Sequence, residues 1–440
     1  MVRSSQATTF STSPYFFDRG AHGTAQPISE QVAPHSRAIV SYYFPKGVGA
    51  HHYGPQHPIK PHRLTLTNAL VMGYGLDRQI QNIYDVRAAT QAELEAYHDH
   101  DYVDFLSRVT PGNQSEMQEM LTKFNFGEDC PIFPDLYDFC RMYTGGSLSG
   151  ARKLSAGTTD IAINCALDPI RYHPRVLYID IDIHHGDGVD LAFYQSNRVM
   201  TLDDNGCGLG KYFCLNVPLK DGINDEMYLN VIKSVIEDTV ASFRPTSIVL
   251  QCGADSLGCD RLGGFNLSIA AHEKCIYFVQ KFNIPLLVVG GGGYTIKNVS
   301  RCWTYKTSVL AGATIPNELP VTVYDSSFQD SQFKLHPPLT GKVDNQNSPA
   351  SLQRITISIK NKLRYLQGAK HIQGFLRDED RTFEERQEET STAIAGEWRS
   401  DRVTTRNHYF EGDNDNYQDD IFPVVLRSGA PSKLGGEWRT

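Results

Sequence analysis

Short apolar runs, rich in β-branched residues, alternate with helix-like patterns through the middle of the chain. Residues 176–181, 247–250 and 284–289 are such runs, and each is followed closely by Gly or Asp. Residues 227–243 carry Val, Ile and Leu at the 3.6-residue spacing of a helix. Runs this apolar are typical of strands buried on both faces. The pattern therefore predicts an α/β fold: a doubly wound, mostly parallel sheet with helices on both faces.

The two ends of the chain lack this pattern. Residues 1–37 are rich in Ser, Thr, Pro and Gly without hydrophobic periodicity, which predicts a disordered N-terminal arm. A strand-like run opens at residue 38, and we expect one folded domain over residues 38–368. In residues 369–440, the stretch 377–389 mixes Asp, Glu and Arg densely and the stretch 411–420 is mostly Asp, Asn and Gln, which predicts an acidic, disordered tail.

Composition narrows the class of protein. The 440 residues, 40% of them hydrophobic, can bury a large core. Acidic residues (50) outnumber Lys and Arg (42), and the net charge of -8 argues against a protein whose whole surface binds nucleic acid non-specifically. We also expect no direct, sequence-specific nucleic-acid binding. We see neither a long apolar run nor a secretory signal, so we expect no membrane partner and a cytosolic or nuclear protein. The nine cysteines include no Cys-x-x-Cys pair, which predicts reduced thiols.

Acidic and imidazole side chains follow the first of these apolar runs. Because side chains alternate along a strand, Asp180, Asp182 and His184 are predicted to point to one face. Placing two carboxylates and an imidazole together on one face costs folding free energy unless a cation neutralises the negative charges. Oxygen and nitrogen donors of this kind are suitable ligands for zinc. The next apolar run leads to Asp255 at the same edge of the sheet. Asp182, His184 and Asp255 are thus a candidate three-ligand site with an open position.

A run of four glycines, residues 290–293, follows the third apolar run and precedes Tyr294. It allows the backbone to approach a ligand and places the Tyr294 phenol at the same rim, where it could donate to a metal-polarised carbonyl. An Asp-x-His motif alone is usually a solvated surface feature, and a run of glycines alone is usually a turn. Because these features follow three successive predicted strands, together they indicate a functional site. The competing pair, His51 and His52, lies in a Gly/Pro-rich loop and is interpreted as a surface feature.

Residues 172–182 and 290–305 resemble the class I histone deacetylases, and the resemblance extends over about residues 38–368. It implies the arginase/deacetylase fold and zinc-dependent hydrolysis of acetyl-lysine in histone tails. The site residues it implies are Asp182, His184 and Asp255 for zinc, Tyr294 for polarising the acetyl carbonyl, Asp129 for the substrate backbone and Asp180 for a structural potassium ion.

The resemblance also implies partners and a regulator. Acetylated histone tails and corepressor subunits would be the partners, transcriptional repression the process, and the nucleus the location, with the cytoplasm as an alternative. Four basic residues match positions that bind inositol phosphate between such deacetylases and their corepressors: His52, Lys60, Arg261 and Lys297. The alternative for these four is a solvated basic rim.

Two internal segments, near residues 165–170 and 202–209, are shorter than the family pattern. The family places its general base in a Gly-Gly-x-His-His loop at the first segment, and no Gly-His-His occurs in this chain. Two channel phenylalanines are absent as well. The resemblance gives Asp180 and Asp187 the role of orienting the missing histidines, so both carboxylates would lose a partner. His173 precedes the strand and His185 points away from His184, so neither is a good substitute base.

Three interpretations follow: an active zinc-dependent histone deacetylase, a catalytically dead deacetylase-like corepressor subunit, and a mis-spliced or mis-predicted form of an active enzyme. Hydrolysis of a small acylated amine or guanidine within the same superfamily is disfavoured, because the long matches are to the histone-directed class.

Overall fold

The computed structural model describes residues 38–165, 175–201, 210–338 and 343–368. The predicted N-terminal arm and acidic tail lie outside these ranges. So do His173 and both shortened segments, apart from Cys165.

Seven strands in the described part of the chain form one sheet: Val40–Phe44 (β1), Asn82–Asp85 (β2), Ile161–Asn164 (β3), Val176–Asp180 (β4), Val199–Thr201 (β5), Ser247–Gln251 (β6) and Leu286–Val289 (β7). Their spatial order is β2-β1-β3-β7-β6-β4-β5, and every neighbouring pair is parallel. All the strands except the edge strand β2 are almost entirely buried, as their apolar sequences predict.

The described α-helices are His62–Gly73 (α1), Gln91–Glu95 (α2), His100–Arg108 (α3), Gln118–Lys123 (α4), Leu136–Ser155 (α5), Asp187–Phe193 (α6), Asp225–Phe243 (α7), Ile269–Gln280 (α8), Ile296–Leu310 (α9) and Pro349–Gly368 (α10). The connections through α1, α7 and α8 run in one direction along the sheet, and those through α5 and α6 run in the other. Right-handed crossovers therefore place the two groups on opposite faces. The predicted doubly wound α/β fold is confirmed.

Local sequence explains the bounds of α7, which the periodicity predicted to begin at residue 227. The helix begins two residues earlier, because the Asn224 side chain caps it by accepting a hydrogen bond from the Met227 amide at 3.0 Å. It ends at Arg244, which adopts a left-handed conformation with φ of 52°. Periodicity located the apolar face, and the cap determined the first turn.

The strands β4, β6 and β7 are adjacent, although they are far apart in the sequence. Their register pairs Asp180 with Gln251 and Gln251 with Val289. Because the strands are parallel, the segments that follow them emerge side by side at the carboxyl edge of the sheet. These are the segments that carry the predicted ligands and the glycine run.

Two expectations from composition can be compared with the described residues. The eight cysteines in this part of the chain form no disulfide, in agreement with the predicted reduced thiols. Among the described helices, none combines the length and the apolar character needed to cross a membrane.

His272 on α8 is a buried, neutral histidine beneath the sheet edge. Its Nε2 lies 3.0 Å from the Ser256 hydroxyl, which itself donates to the Ile181 carbonyl at 2.8 Å. The hydroxyl must therefore accept from His272, whose side chain is 1% exposed. Burial lowers the pKa of His272 well below its usual value.

This lowered pKa makes the protein sensitive to acid. Below about pH 6.5 the unfolded chain binds a proton at residue 272 that the folded chain does not, so stability declines as the pH falls. We expect His272→Gln to reduce the acid-side slope of the unfolding free energy by up to about 1.4 kcal/mol per pH unit. Urea denaturation at several pH values below about pH 6.5 measures the slope. Equal slopes in the two proteins would contradict this assignment.

Candidate metal and catalytic site

Asp182, His184 and Asp255 converge where β4 and β6 end. The His184 Nδ1 lies 3.2 Å from Asp182 Oδ1 and 3.0 Å from Asp255 Oδ2. One donor atom from each residue lies within 4.8 Å of the other two, and in the described part of the chain no other group of three His, Cys, Asp or Glu residues meets this condition. The structure thus brings together the three ligands that the sequence predicted.

The triad has a buried floor and an open side. The Asp255 side chain is fully buried and that of Asp182 is 8% exposed, whereas the His184 side chain is 49% exposed. An ion or a substrate can therefore reach the two carboxylates from the side of His184.

The charges in the triad are strongly coupled. Hydrogen bonds to Asp182 and Asp255 raise the pKa of His184 to about 10. Burial raises the pKa of Asp255, and the charge of Asp182 raises it further. A proton on the His184 ring is therefore favoured by the two carboxylates, as a cation at the same place would be. One nitrogen and two carboxylate oxygens suit a divalent ion such as zinc, which would displace the His184 proton.

Backbone and amide donors fix both carboxylates. Asp182 Oδ2 accepts hydrogen bonds from the Gly292 amide at 2.8 Å and from the Gln251 side chain at 3.1 Å. Asp255 Oδ1 accepts one from the Ile183 amide at 3.2 Å. Such outer partners orient metal ligands, so the carboxylates are held in place before any ion binds.

Gly292 lies so close to the carboxylates of Asp182 and Asp255 that only glycine fits at this position of the glycine run. A Cβ at this position would lie 1.9 Å from Asp255 Oδ2 and 2.8 Å from Asp182 Oδ2. No side chain larger than hydrogen fits there while the two carboxylates keep their positions. The predicted role of the run, close backbone approach, therefore applies to the triad itself.

Tyr294 lies at the rim beside His184. The two ring centroids are 6.1 Å apart and the rings are nearly perpendicular, at 86°. Burial raises the pKa of Tyr294, and the charges of Asp255 and Asp182 raise it further. The phenol therefore stays protonated and can donate a hydrogen bond to a substrate oxygen.

Asp180 lies next to the triad but outside the ligand set. Its Oδ1 accepts a hydrogen bond from the Asp182 amide at 2.9 Å, and its Oδ2 accepts one from the Tyr178 hydroxyl at 3.0 Å. Burial raises its pKa, and the charge of Asp182 raises it further. Asp187 is exposed, and its carboxylate binds the Gly188 amide at the start of α6.

The predicted substrate residue Asp129 is exposed, and the histidine-rich loop binds its backbone. His57 Nε2 lies 3.1 Å from the Asp129 carbonyl. In the same loop the His51 ring packs edge-on against Phe139 at 5.1 Å, and His52 is exposed. Of the pair interpreted as a surface feature, His52 is exposed, whereas the aromatic cluster partly buries the His51 ring.

The four basic residues lie on two parts of the fold. His52 Nδ1 accepts a hydrogen bond from the Gly54 amide at 2.9 Å, and Lys60 donates to the Gly54 carbonyl at 3.0 Å. The loop that contains the glycine run of residues 290–293 is called the glycine loop. Arg261 directly follows Asp260, whose carboxylate binds the end of this loop, and Lys297 lies in the first turn of α9. Both parts adjoin the glycine loop, because α1 begins two residues after Lys60 and contacts that loop.

Sequence reasoning missed two residues that hold this loop, Arg63 and Asp260. Arg63 donates to the carbonyls of Gly293 at 2.6 Å and Gly291 at 2.8 Å, and its guanidinium lies 5.1 Å from the centre of the Trp303 ring. Asp260 accepts from backbone amides on the other side of the loop. Arg63 is 230 residues from Gly293, so no spacing in the sequence could have indicated this contact.

Known proteins match most of the chain. A family profile described as "Histone deacetylase domain" matches residues 57–173 and 160–310, two stretches that overlap around the first shortened segment. "Histone deacetylase B" of Dictyostelium discoideum is 46% identical over 381 residues, which cover 77% of this chain and 90% of that protein. "Histone deacetylase 9" of Arabidopsis thaliana is 40% identical over 428 residues, which cover 87% and 99% of the two chains.

Proposed function

The chain belongs to the histone deacetylase family, and we propose that it binds zinc through Asp182, His184 and Asp255 in order to hydrolyse acetyl-lysine amides of histone tails. Deacetylation is the function of the family. The observation that carries the assignment of zinc and of the site is the convergence of these three side chains beside the Tyr294 phenol, with one side open to solvent.

The chain's own residues have distinct roles in this proposal. Zinc held by Asp182, His184 and Asp255 would supply Lewis acidity toward the amide carbonyl and a water molecule. Tyr294 donates a hydrogen bond to the carbonyl oxygen, where negative charge develops during attack. The exposed carboxylate of Asp129 accepts a hydrogen bond from the substrate backbone, and the contact from His57 holds its segment in place. Asp180, which accepts a hydrogen bond from the Asp182 amide, would contribute to a potassium site next to the triad.

Removal of a proton from the attacking water is the step that this sequence does not provide for. The Gly-Gly-x-His-His loop that the family resemblance assigns to this step is absent. The Nδ1 of His184 is engaged by Asp182 and Asp255. This observation favours a second candidate function, in which the chain binds zinc and acetyl-lysine as a non-catalytic subunit of a corepressor complex.

The proposal also covers the protein's location, its partners and a regulator. We place the protein in the nucleus as a repressor that acts on chromatin through corepressor subunits. Inositol phosphate would bind His52, Lys60, Arg261 and Lys297, which lie on the two parts of the fold that adjoin the glycine loop. Phosphate groups bind basic side chains, although Lys297 offers a point charge and not the fork of an arginine.

Turnover of an acetylated histone-tail peptide by the zinc-loaded protein tests the function. We expect Tyr294→Phe to lower kcat on the order of 100- to 1,000-fold with little change in KM, because one donor to the oxyanion is lost. Mass spectrometry of the peptide measures the product. Tyr277→Phe, on the exposed face of α8, is the matched control and should leave kcat unchanged. Zinc-dependent binding without turnover would favour the second candidate, and absence of both would contradict the proposal.

Mass spectrometry of the protein isolated from its own cells tests the third interpretation, that the sequence is a mis-spliced or mis-predicted form of an active enzyme. Trypsin releases residues 154–171 as one peptide that spans the first shortened segment without an internal Lys or Arg. Its detection would establish the shortened chain. Peptides carrying a Gly-x-His-His loop in its place would identify the shortened sequence as a mis-spliced or mis-predicted form.

A further inference from the structure

Asp260 joins the segment after β6 to the loop that carries Tyr294. Its Oδ2 accepts hydrogen bonds from the Tyr294 amide at 2.8 Å and the Thr295 amide at 3.0 Å. Its Oδ1 accepts a third from the Leu262 amide at 3.1 Å. The residue is only 8% exposed. Three amide donors in a buried setting leave this carboxylate little freedom to move.

Asp260 also lies at the start of α9, a helix of 15 residues. Thr295 occupies the N-cap position, but its hydroxyl donates to the Cys259 carbonyl and makes no capping hydrogen bond. The Asp260 carboxylate, from another part of the chain, accepts from the two amides that precede the first helical residue, those of Tyr294 and Thr295. A negative charge at this end also interacts favourably with the helix dipole.

The loop is held from two sides by opposite charges. Arg63 donates hydrogen bonds to the carbonyls of Gly291 and Gly293, and Asp260 accepts hydrogen bonds from the amides of Tyr294 and Thr295. The two sets of contacts meet at the peptide bond between Gly293 and Tyr294. Gly293 has a φ of 125°, which glycine adopts readily and other L-residues rarely do, so this bend of the loop requires glycine.

We propose that Asp260 is a positioning residue for Tyr294. It fixes the backbone from which the phenol reaches the substrate carbonyl, and it does not itself touch the substrate. The direction of a side chain follows from its backbone, and a displacement of about 1 Å can reduce catalysis on the order of 100-fold. This inference rests on the proposed role of the Tyr294 phenol.

Amide hydrogen exchange tests the contact without any substrate. In the full-length protein, Asp260→Ala should accelerate exchange at Tyr294 and Thr295 by roughly 5- to 30-fold, since each amide loses a charge-assisted hydrogen bond. Asp260→Asn should give an intermediate rate, because its oxygen can still accept from these amides while its NH₂ faces the Leu262 amide. Unchanged amides in β4 control for global unfolding. Unchanged exchange at Tyr294 would overturn the proposal.

Isotope-edited infrared spectroscopy tests the consequence for the substrate. An acetyl-lysine peptide with a labelled acetyl carbonyl is bound to the zinc-loaded protein, and its stretching frequency reports polarisation. Tyr294→Phe and Asp260→Ala should each raise the frequency, and the double variant should show no further change beyond Tyr294→Phe. A further shift in the double variant would mean that Asp260 acts elsewhere and would overturn the proposal. If the unmodified protein does not shift the band, the proposed function fails, and the exchange rates alone decide the role of Asp260.

Discussion

Replacing Asp255 with Asn is expected to weaken zinc binding by more than about 100-fold. Loss of an outer hydrogen-bond partner alone costs 10- to 100-fold in metal affinity, and Asp255 is assigned as a direct ligand. Its side chain is fully buried, so water cannot readily take the place of the lost carboxylate oxygen. The neutral amide also leaves the site with one negative charge in place of two. Competition with a chromophoric chelator at neutral pH measures the affinity.

Asp187→Asn is the matched control for that variant. Asp187 lies in the segment after β4, close in sequence to two of the ligands, but it is exposed and its carboxylate binds only the Gly188 amide among the contacts of the described residues. Its replacement should leave zinc affinity unchanged. Equal weakening by the two substitutions would indicate a general loss of negative charge and would contradict the assignment of Asp255 as a ligand.

The sequence predicted the central strands and the triad for the same reason. Buried parallel strands are nearly continuous apolar runs, and polar residues directly after such runs must lie at the carboxyl edge of the sheet. Asp182 and Asp255 follow β4 and β6 in this way. The short strand β5 and the edge strand β2 were not predicted, because three or four residues with little apolar excess give no clear pattern.

The alternation argument for Asp180, Asp182 and His184 was only partly sound. The strand β4 ends at Asp180, so Asp182 and His184 lie in the following loop. Their convergence comes from hydrogen bonds within that loop, such as the Asp182 amide to Asp180 and the His184 amide to Asp182. The periodicity of a strand could not predict where those loop contacts form. Arg63 and Asp260 were missed for a related reason, since each binds backbone atoms of a distant segment.

The contacts that fix the triad in the described part of the chain come from three segments at the edge of the sheet. They come from Gln251, Ile183 and Gly292, which belong to β6, the segment after β4 and the glycine loop. The proposed zinc site can therefore be tested apart from the missing base loop, which is why turnover and zinc affinity must be measured separately.

Gly292→Ala is the second substitution with a large expected effect on zinc affinity and stability, because its methyl group would clash with the carboxylates of both Asp182 and Asp255. The new methyl group would lie 1.9 Å from Asp255 Oδ2 and 2.8 Å from Asp182 Oδ2, so the loop or the ligands must move. Overpacking of this kind typically costs about 1–3 kcal/mol of unfolding free energy, and we expect zinc binding to be lost with it. Gly188→Ala, whose methyl meets nothing within 4 Å, should change neither quantity. Urea denaturation and chelator competition measure both, and full zinc affinity in Gly292→Ala would show that the loop can retreat without disturbing the ligands.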